Sequence, residues 1–156
     1  MRQRLRWLLT GLGAAVIMAA PASAAPPGGD DASGDIDAYP LAEGDYTTPD
    51  DYGWVFFTTP DGRACGIGPN GGPVGCDAVA ADAPPGVNQT WVMSWGPAEY
   101  RYSDTASFTR GVDMLPVGER VESLGGACAV TSPDTVRCET YGNHGFILSA
   151  DQGVFW

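Results

Sequence analysis

Apolar residues between Gly53 and Trp156 occur in short runs separated by turn residues, and no long run repeats at helical spacing. The run Trp54–Phe57 is apolar at every position, which is typical of a strand buried on both faces. A Pro-Asp-Gly turn at residues 60–62 follows it, and similar turn signals recur along the chain. Several short strands between such turns predict an all-β fold, either a small antiparallel sandwich or a barrel.

Two of the predicted strands carry alternating aromatic residues, one with Trp91 and Trp95 and the other with Tyr100 and Tyr102. The break between them is predicted at residues 96–97. Residues 103–115 are polar and irregular, with room for one short helical turn. The remaining strands are predicted at residues 54–57, 63–67, 73–79, 119–124, 127–131, 135–140, 144–149 and 153–156.

The four cysteines divide into two local pairs. Cys65 and Cys76 enclose ten residues, and Cys128 and Cys138 enclose nine, with turn residues between them. Four cysteines allow three connectivities, of which pairing within each hairpin is the simplest. Each short disulfide loop would contribute roughly 3 kcal/mol to stability through loop-closure entropy. A four-cysteine zinc site is the alternative, but the tight C-x2-C pairs that such a site usually needs are absent.

The two cysteine hairpins resemble each other in sequence. Residues 62–65 (G-R-A-C) match residues 125–128 (G-G-A-C), and residues 74–77 (V-G-C-D) match residues 136–139 (V-R-C-E). In each returning strand a valine lies two residues before the cysteine and therefore on the same face. This echo predicts a pseudo-duplicate of one cysteine hairpin unit; convergence of two unrelated disulfide hairpins is the alternative that one sequence leaves open.

The first 24 residues have the pattern of a secretory signal peptide. Arg2, Arg4 and Arg6 precede a mostly apolar stretch, and Ala-Ser-Ala at residues 22–24 supplies a small-x-small cleavage site. A transmembrane anchor is the alternative, but the apolar run is shorter than the ~20 residues that span a bilayer. We therefore expect a secreted protein, extracellular or associated with the cell envelope, with no stable membrane anchor after cleavage.

Residues 25–52 are rich in Pro, Gly, Ala and acidic side chains, so we expect a flexible acidic arm before a disulfide-bonded β domain at residues 53–156. A calcium loop around Asp35 and Asp37 is the alternative, but the other ligands of an EF-hand are missing. Tyr39, Tyr46 and Tyr52 suggest that the later part of the arm lies against the domain.

The charge of the chain restricts its partners. Removal of residues 1–24 would leave five of the eight basic residues against all 19 acidic ones, a net charge of 5 − 19 = −14. Such a surface repels phosphate backbones and anionic membranes, which excludes nucleic-acid binding. A protein or cell-wall partner remains compatible, and so does a purely solubilising role for the carboxylates.

Candidate catalytic chemistry depends on His144, the single histidine. Its nearest partners in sequence are Ser149 and Asp151, but Ser149 lies in no G-x-S-x-G elbow. We favour the structural interpretation, in which His144 opens a strand and hydrogen-bonds locally. No carboxylate pair stands out for glycoside hydrolysis, and no motif indicates a metal ion or a cofactor.

The aromatic residues Trp91, Trp95, Tyr100 and Tyr102 have two interpretations. Packing within the sheet is the one we favour, because large aromatic side chains dominate burial in small β domains. The alternative is a platform on which carbohydrate rings stack, which makes these four residues the candidate binding site.

Several motifs occur in a fixed order between residues 55 and 149. Residues 57–62 read F-T-T-P-D-G before the first cysteine pair, residues 115–118 read L-P-V-G, and H-G-F at residues 144–146 follows the second pair. The set resembles a family of small uncharacterised secreted actinobacterial proteins. In that family the first turn is F-x-[ST]-P-[SD]-G and the last segment is G-H-G-F, where this chain has Asn143 in place of the first glycine. The resemblance implies export and a disulfide-bonded β domain, and no activity.

Three functions are compatible with these observations. The first is a secreted non-catalytic β domain that acts as a binding or interaction module in the cell envelope or medium. The second is a secreted hydrolase that uses His144 with a carboxylate. The third is a protease inhibitor that presents the loop Gly68–Pro73 as a rigid substrate mimic.

Overall fold

The structure is a computed structural model, and it describes residues 34–156. The predicted signal peptide and the first part of the predicted arm lie outside the described residues. A short 3₁₀ helix, Ile36–Ala38, precedes ten strands. The strands are β1 (Val55–Thr58), β2 (Ala64–Ile67), β3 (Val74–Cys76), β4 (Gln89–Met93), β5 (Gly96–Arg101), β6 (Arg120–Ser123), β7 (Gly126–Ser132), β8 (Thr135–Thr140), β9 (Gly145–Leu148) and β10 (Gly153–Phe155).

The strands form two antiparallel sheets of five strands each. The first sheet has the order β1-β2-β3-β4-β5 and the second the order β10-β9-β8-β7-β6, and neither closes on itself. Apolar side chains from both sheets meet in one buried core between them. The prediction of a small disulfide-bonded all-β fold is therefore confirmed, and of its two forms the structure is the sandwich.

Each sheet is a meander with one disulfide between its second and third strands. Cys65 lies directly opposite Cys76 with a Cα–Cα distance of 4.0 Å, and Cys128 lies opposite Cys138 at 4.1 Å. Local pairing within each hairpin is thus confirmed. Equivalent strands also face each other, since β1 contacts β6, β2 contacts β7 and β3 contacts β8. The two cysteine hairpins that resemble each other in sequence therefore occupy equivalent positions in the two sheets.

Alternation along the strands places both disulfides inside the sandwich. All four cysteines are fully buried, as are Val74 and Val136, the valines two residues before the second cysteine of each pair. Phe57 from the first sheet and Phe146 from the second join the same core. The disulfides are therefore part of the hydrophobic core of the sandwich.

The outer face of the first sheet is covered by Phe108, which is fully buried although it lies in an irregular segment. A Cβ atom on Gly66 would lie 3.0 Å from the Phe108 ring, and one on Gly75 would lie 2.8 Å from it. The ring therefore rests on a part of the sheet that carries no side chains. Trp54 and Trp91 flank it, with ring centroids 6.4 and 5.9 Å away.

Asp77 holds this covering segment in place. Its carboxylate accepts hydrogen bonds from the backbone N–H of Ser107 at 3.0 Å, from that of Phe108 at 2.8 Å and from the Thr109 hydroxyl at 2.8 Å. Because the side chain of Asp77 satisfies these backbone donors, the segment needs no helical turn, and none forms within residues 103–115.

The described part of the predicted arm, residues 34–52, lies against the sandwich. Ile36 and Tyr39 are buried against Ala129 on the outer face of the second sheet. Tyr46 is buried in the main core, and its carbonyl accepts a hydrogen bond of 2.7 Å from the N–H of Phe56. Tyr52, in contrast, is 97 % exposed.

Candidate functional site

Four of the five most exposed large apolar side chains lie at one end of the sandwich. The antiparallel meanders bring the turns β2–β3, β4–β5, β6–β7 and β8–β9 to this end, together with the segment that enters β1. We call the four side chains the apolar tip. They are Tyr52 (97 % exposed), Trp95 (74 %), Leu124 (71 %) and Tyr141 (63 %).

Hydrogen bonds between the turns bring the apolar tip together. The Tyr141 hydroxyl donates to the carbonyl of Ser123, next to Leu124, at 3.2 Å. The Ser123 hydroxyl in turn donates to the carbonyl of Gly53, next to Tyr52, at 3.0 Å. These two hydrogen bonds link the second sheet to the segment before β1. They connect Tyr141 to the neighbours in sequence of Leu124 and Tyr52, so these three tip residues are held close together.

Two glycines allow the backbones of the two sheets to come into direct contact at this end. A Cβ atom on Gly142 would lie 1.6 Å from the carbonyl oxygen of Ser94, which precedes Trp95, and one on Gly125 would lie 1.8 Å from the carbonyl oxygen of Gly68. Real Cβ atoms do not approach so closely, so both positions require glycine. The tip side chains are consequently carried on turns whose backbones are in direct contact.

The four turns at this end contain no Asp, Glu, Lys or Arg. They comprise residues 68–73, 94–95, 124–125 and 141–144. At the opposite end of the sandwich every turn carries at least one aspartate, and these are Asp61, Asp77, Asp82, Asp134 and Asp151. Within the described residues, the turns between strands are therefore charged at one end of the sandwich, and at the other end they contain no Asp, Glu, Lys or Arg.

Two carboxylates lie next to the apolar tip in sequence, since Asp50 and Asp51 directly precede Tyr52. Asp51 is bound to Arg110, whose Nε lies 2.8 Å from its carboxylate. The hydrogen bond from Arg110, aided by one from Thr48, lowers the pKa of Asp51 to about 2. The Arg110 guanidinium also lies 4.7 Å from the centroid of the Phe56 ring, which ties this segment to the first sheet.

The four aromatic residues predicted as a binding platform do not share one face. Trp91 pairs with Glu99 and Tyr100 pairs with Thr90, so Trp91 and Tyr100 point to opposite faces of the first sheet. Trp95 lies in the β4–β5 turn, because the chain reverses before Gly96 and not at the predicted break. Tyr102 follows β5 at the opposite end, separated from Trp95 by six strand residues, or roughly 20 Å.

Two of these aromatic rings are occupied by contacts within the protein. The Arg101 guanidinium lies 3.2 Å from the centroid of the Trp91 ring, which also contacts Phe108. Tyr100 packs edge-to-face on Phe155 at 4.7 Å. Burial, together with a hydrogen bond from its hydroxyl to Asp82, raises the pKa of Tyr100 to about 12. Trp91 and Tyr100 are half-buried, whereas Trp95 and Tyr102 are exposed, and they lie at opposite ends.

His144 lies in the β8–β9 turn beside the apolar tip. Its carbonyl accepts hydrogen bonds from the backbone N–H of Thr140 at 2.8 Å and from the Thr140 hydroxyl at 3.0 Å. Ser149 and Asp151 follow the far end of β9, so about 15 Å of strand separates them from His144. The sandwich thus separates the histidine from the serine and the aspartate nearest to it in sequence. Asn143 has a φ of 58°, a left-handed conformation that asparagine tolerates better than most residues.

A polar cleft of about 310 Å³ lies at the charged end, away from His144. Asp77, Asn88 and Gln89 line it, but their side chains hold the covering segment, with the Asn88 amide donating to the carbonyl of Ser103 at 2.8 Å. The loop proposed for an inhibitor, Gly68–Pro73, packs against Gly125 and Ser94, and Gly71 within it is buried. The three cleft side chains named here and the backbone of the loop are thus engaged in contacts within the protein.

Comparison of the chain with known protein families, with curated proteins and with solved structures finds no match. The resemblance carried by residues 55–149 therefore stays a prediction. The part of the chain that the structure describes contains no helix with the length and apolar character needed to cross a membrane. Over the same residues, no group of three or more His, Cys, Asp or Glu side chains is arranged to hold a metal ion.

The sequence analysis missed the apolar tip. Only Trp95 of its four members was among the predicted binding residues. The signal that could have found the tip is the aspartate content of the turns. Alternate turns of a meander lie at opposite ends of the sheet, and here the turns of one end carry aspartate whereas those of the other do not. That comparison requires the correct strand boundaries around Trp95.

Proposed function

We propose that the protein is a secreted, non-catalytic interaction module and that the apolar tip is its binding surface. The single observation that carries this proposal is the exposure of four large apolar side chains together at one end of the sandwich, namely Tyr52, Trp95, Leu124 and Tyr141, the last three on turns without Asp, Glu, Lys or Arg. Exposed apolar clusters of this kind mark interaction sites on soluble proteins. Enrichment in Trp and Tyr with depletion of charged residues is also the composition of interface cores.

The construction of the turns supports the same function. Rigid aromatic side chains lose little conformational entropy on binding, and turns held by backbone contacts are already ordered before the partner arrives. Export is supported by the predicted signal peptide and by the two buried disulfides, which are typical of an oxidising compartment. The partner belongs to the envelope or the medium, where a processed chain of this kind would act.

We expect Trp95→Ala to weaken binding, because Trp95 offers the largest ring of the tip. A loss of about 2 kcal/mol, or about 30-fold in Kd, is typical of a central interface tryptophan. The measurement is retention of the labelled mature protein on cell-wall and culture-medium fractions of the organism that encodes it. Tyr102→Ala is the matched control, since it removes an equally exposed aromatic side chain at the charged end and should leave retention unchanged. Retention that is equal for both variants, or absent for the wild type, would contradict the proposal.

A further inference from the structure

We infer that the apolar tip binds a second copy of this chain, tip to tip. The inference rests on the proposed function, in that it takes the tip as the binding surface and names its partner. It is drawn from the charge of the molecule, the placement of that charge and the size of the tip.

The charged groups of the described residues make two copies repel each other. Residues 34–156 contain five arginines and 17 carboxylates, a net charge of 5 − 17 = −12. Four arginines are in ion pairs within the chain, namely Arg63 with Asp61, Arg110 with Asp51, Arg120 with Glu122 and Arg137 with Glu139. The fifth, Arg101, stacks on Trp91 and donates to Gln89. Every arginine in this part of the chain is therefore engaged internally, and a face that carries carboxylates repels the same face of another copy.

The apolar tip is the face through which two such chains can approach. The turns that carry Trp95, Leu124 and Tyr141 have no charged side chain, and a tip-to-tip arrangement directs the aspartates of the charged ends away from the contact. Of the two carboxylates that precede Tyr52, Asp51 is paired with Arg110, and Asp50 is exposed at the edge of the contact. The aspartates of the charged ends lie roughly 20 Å behind the tip, the length of a six-residue strand such as β5. This exceeds the Debye length of about 8 Å at physiological ionic strength, so the repulsion between these distant aspartates is largely screened. The repulsion that remains for added salt to screen comes from Asp50, beside Tyr52 at the edge of the contact. A cationic partner would instead be drawn to the opposite end, whose turns carry more carboxylates than the tip does.

The size of the tip sets the expected strength. Three aromatic side chains and a leucine, at about 150–250 Å² per aromatic residue, expose roughly 600 Å² per copy. Stable specific interfaces bury about 800 Å² per partner, and transient ones bury less. The tip-to-tip contact therefore forms a weak, reversible dimer, and the fraction of dimer rises with protein concentration. Because the two bodies carry the same charge, added salt strengthens it, whereas salt would weaken binding to a cationic partner.

Sedimentation velocity of the mature protein, from about 10 µM to about 1 mM, tests the inference, and this range covers the affinities expected of a weak interface. The wild type should show a monomer–dimer equilibrium that shifts towards dimer as sodium chloride is raised. Leu124→Asp should lower the association constant at least tenfold, because it places a carboxylate within the contact. Tyr102→Asp adds the same charge at a residue of similar exposure and should leave the constant unchanged. Trp95→Ala, which adds no charge, should also weaken the dimer.

The outcomes separate this inference from the proposed function. A wild type that stays monomeric throughout, or a dimer that Leu124→Asp and Tyr102→Asp affect equally, overturns the tip-to-tip dimer. If retention on wall or medium fractions still depends on Trp95 in that case, the interaction module stands and its partner is another molecule. If neither dimer nor retention is found, both are wrong.

Discussion

Phe108→Ala is expected to lower the free energy of unfolding by about 3–5 kcal/mol, the range for truncating a fully buried phenylalanine. The ring lies on Gly66 and Gly75, which have no side chains of their own to occupy the space that it leaves. Its loss also uncovers Trp54 and Trp91, which pack on it from either side. Urea unfolding followed by tryptophan fluorescence gives the free energy directly.

Two variants serve as controls for that measurement. Phe108→Leu keeps much of the apolar volume and should lose distinctly less stability than Phe108→Ala. Tyr102→Ala, in the same irregular stretch but exposed, should stay within about 0.5 kcal/mol of the wild type. A loss below about 1 kcal/mol for Phe108→Ala would mean that the covering segment is not packed as described.

Removal of the first disulfide by Cys65→Ala with Cys76→Ala should lower stability by roughly 3 kcal/mol, because the unfolded chain gains the entropy that the closed loop removes. The sequence separation of the cysteines is 11 for this disulfide and 10 for the other, so Cys128→Ala with Cys138→Ala should have nearly the same effect. Equilibrium unfolding in guanidinium measures both double variants against the wild type.

The comparison between the two pairs is the informative part of that experiment. Equal losses fit two equivalent hairpins that share one core. A loss above 2 kcal/mol for one pair and below 0.5 kcal/mol for the other, figures taken as about the spread of measured disulfide effects, would contradict their equivalence.

Much of the fold could be predicted because its determinants are local. Turn residues such as Pro60 and Gly62 recur along the chain, and apolar runs of strand length lie between successive turns. The cysteine spacing gave the correct pairing because each disulfide joins neighbouring strands of one hairpin. The sequence echo between the two hairpins is local for the same reason, and it did not reveal that each hairpin belongs to a five-stranded meander.

The features missed are those that depend on contacts distant in sequence. Phe108 is surrounded by polar residues, so its burial follows only from Gly66 and Gly75, more than 30 positions earlier. The positions of Trp91 and Tyr100 on opposite faces follow from the register of β4 against β5, which a shift of one residue would reverse. The apolar tip combines residues from both sheets, and its assembly depends on how the two meanders stack.

Hydroxyl-radical footprinting of the mature protein tests the central claim, that the apolar tip is the binding surface, most directly. The protein is labelled alone at low concentration and again in the presence of the wall or medium fraction that retains it, and oxidation is measured residue by residue. We expect protection of Tyr52, Trp95, Leu124 and Tyr141, with Tyr102 oxidised equally in both samples. Protection of Tyr102 while the four tip residues remain fully reactive would contradict the account.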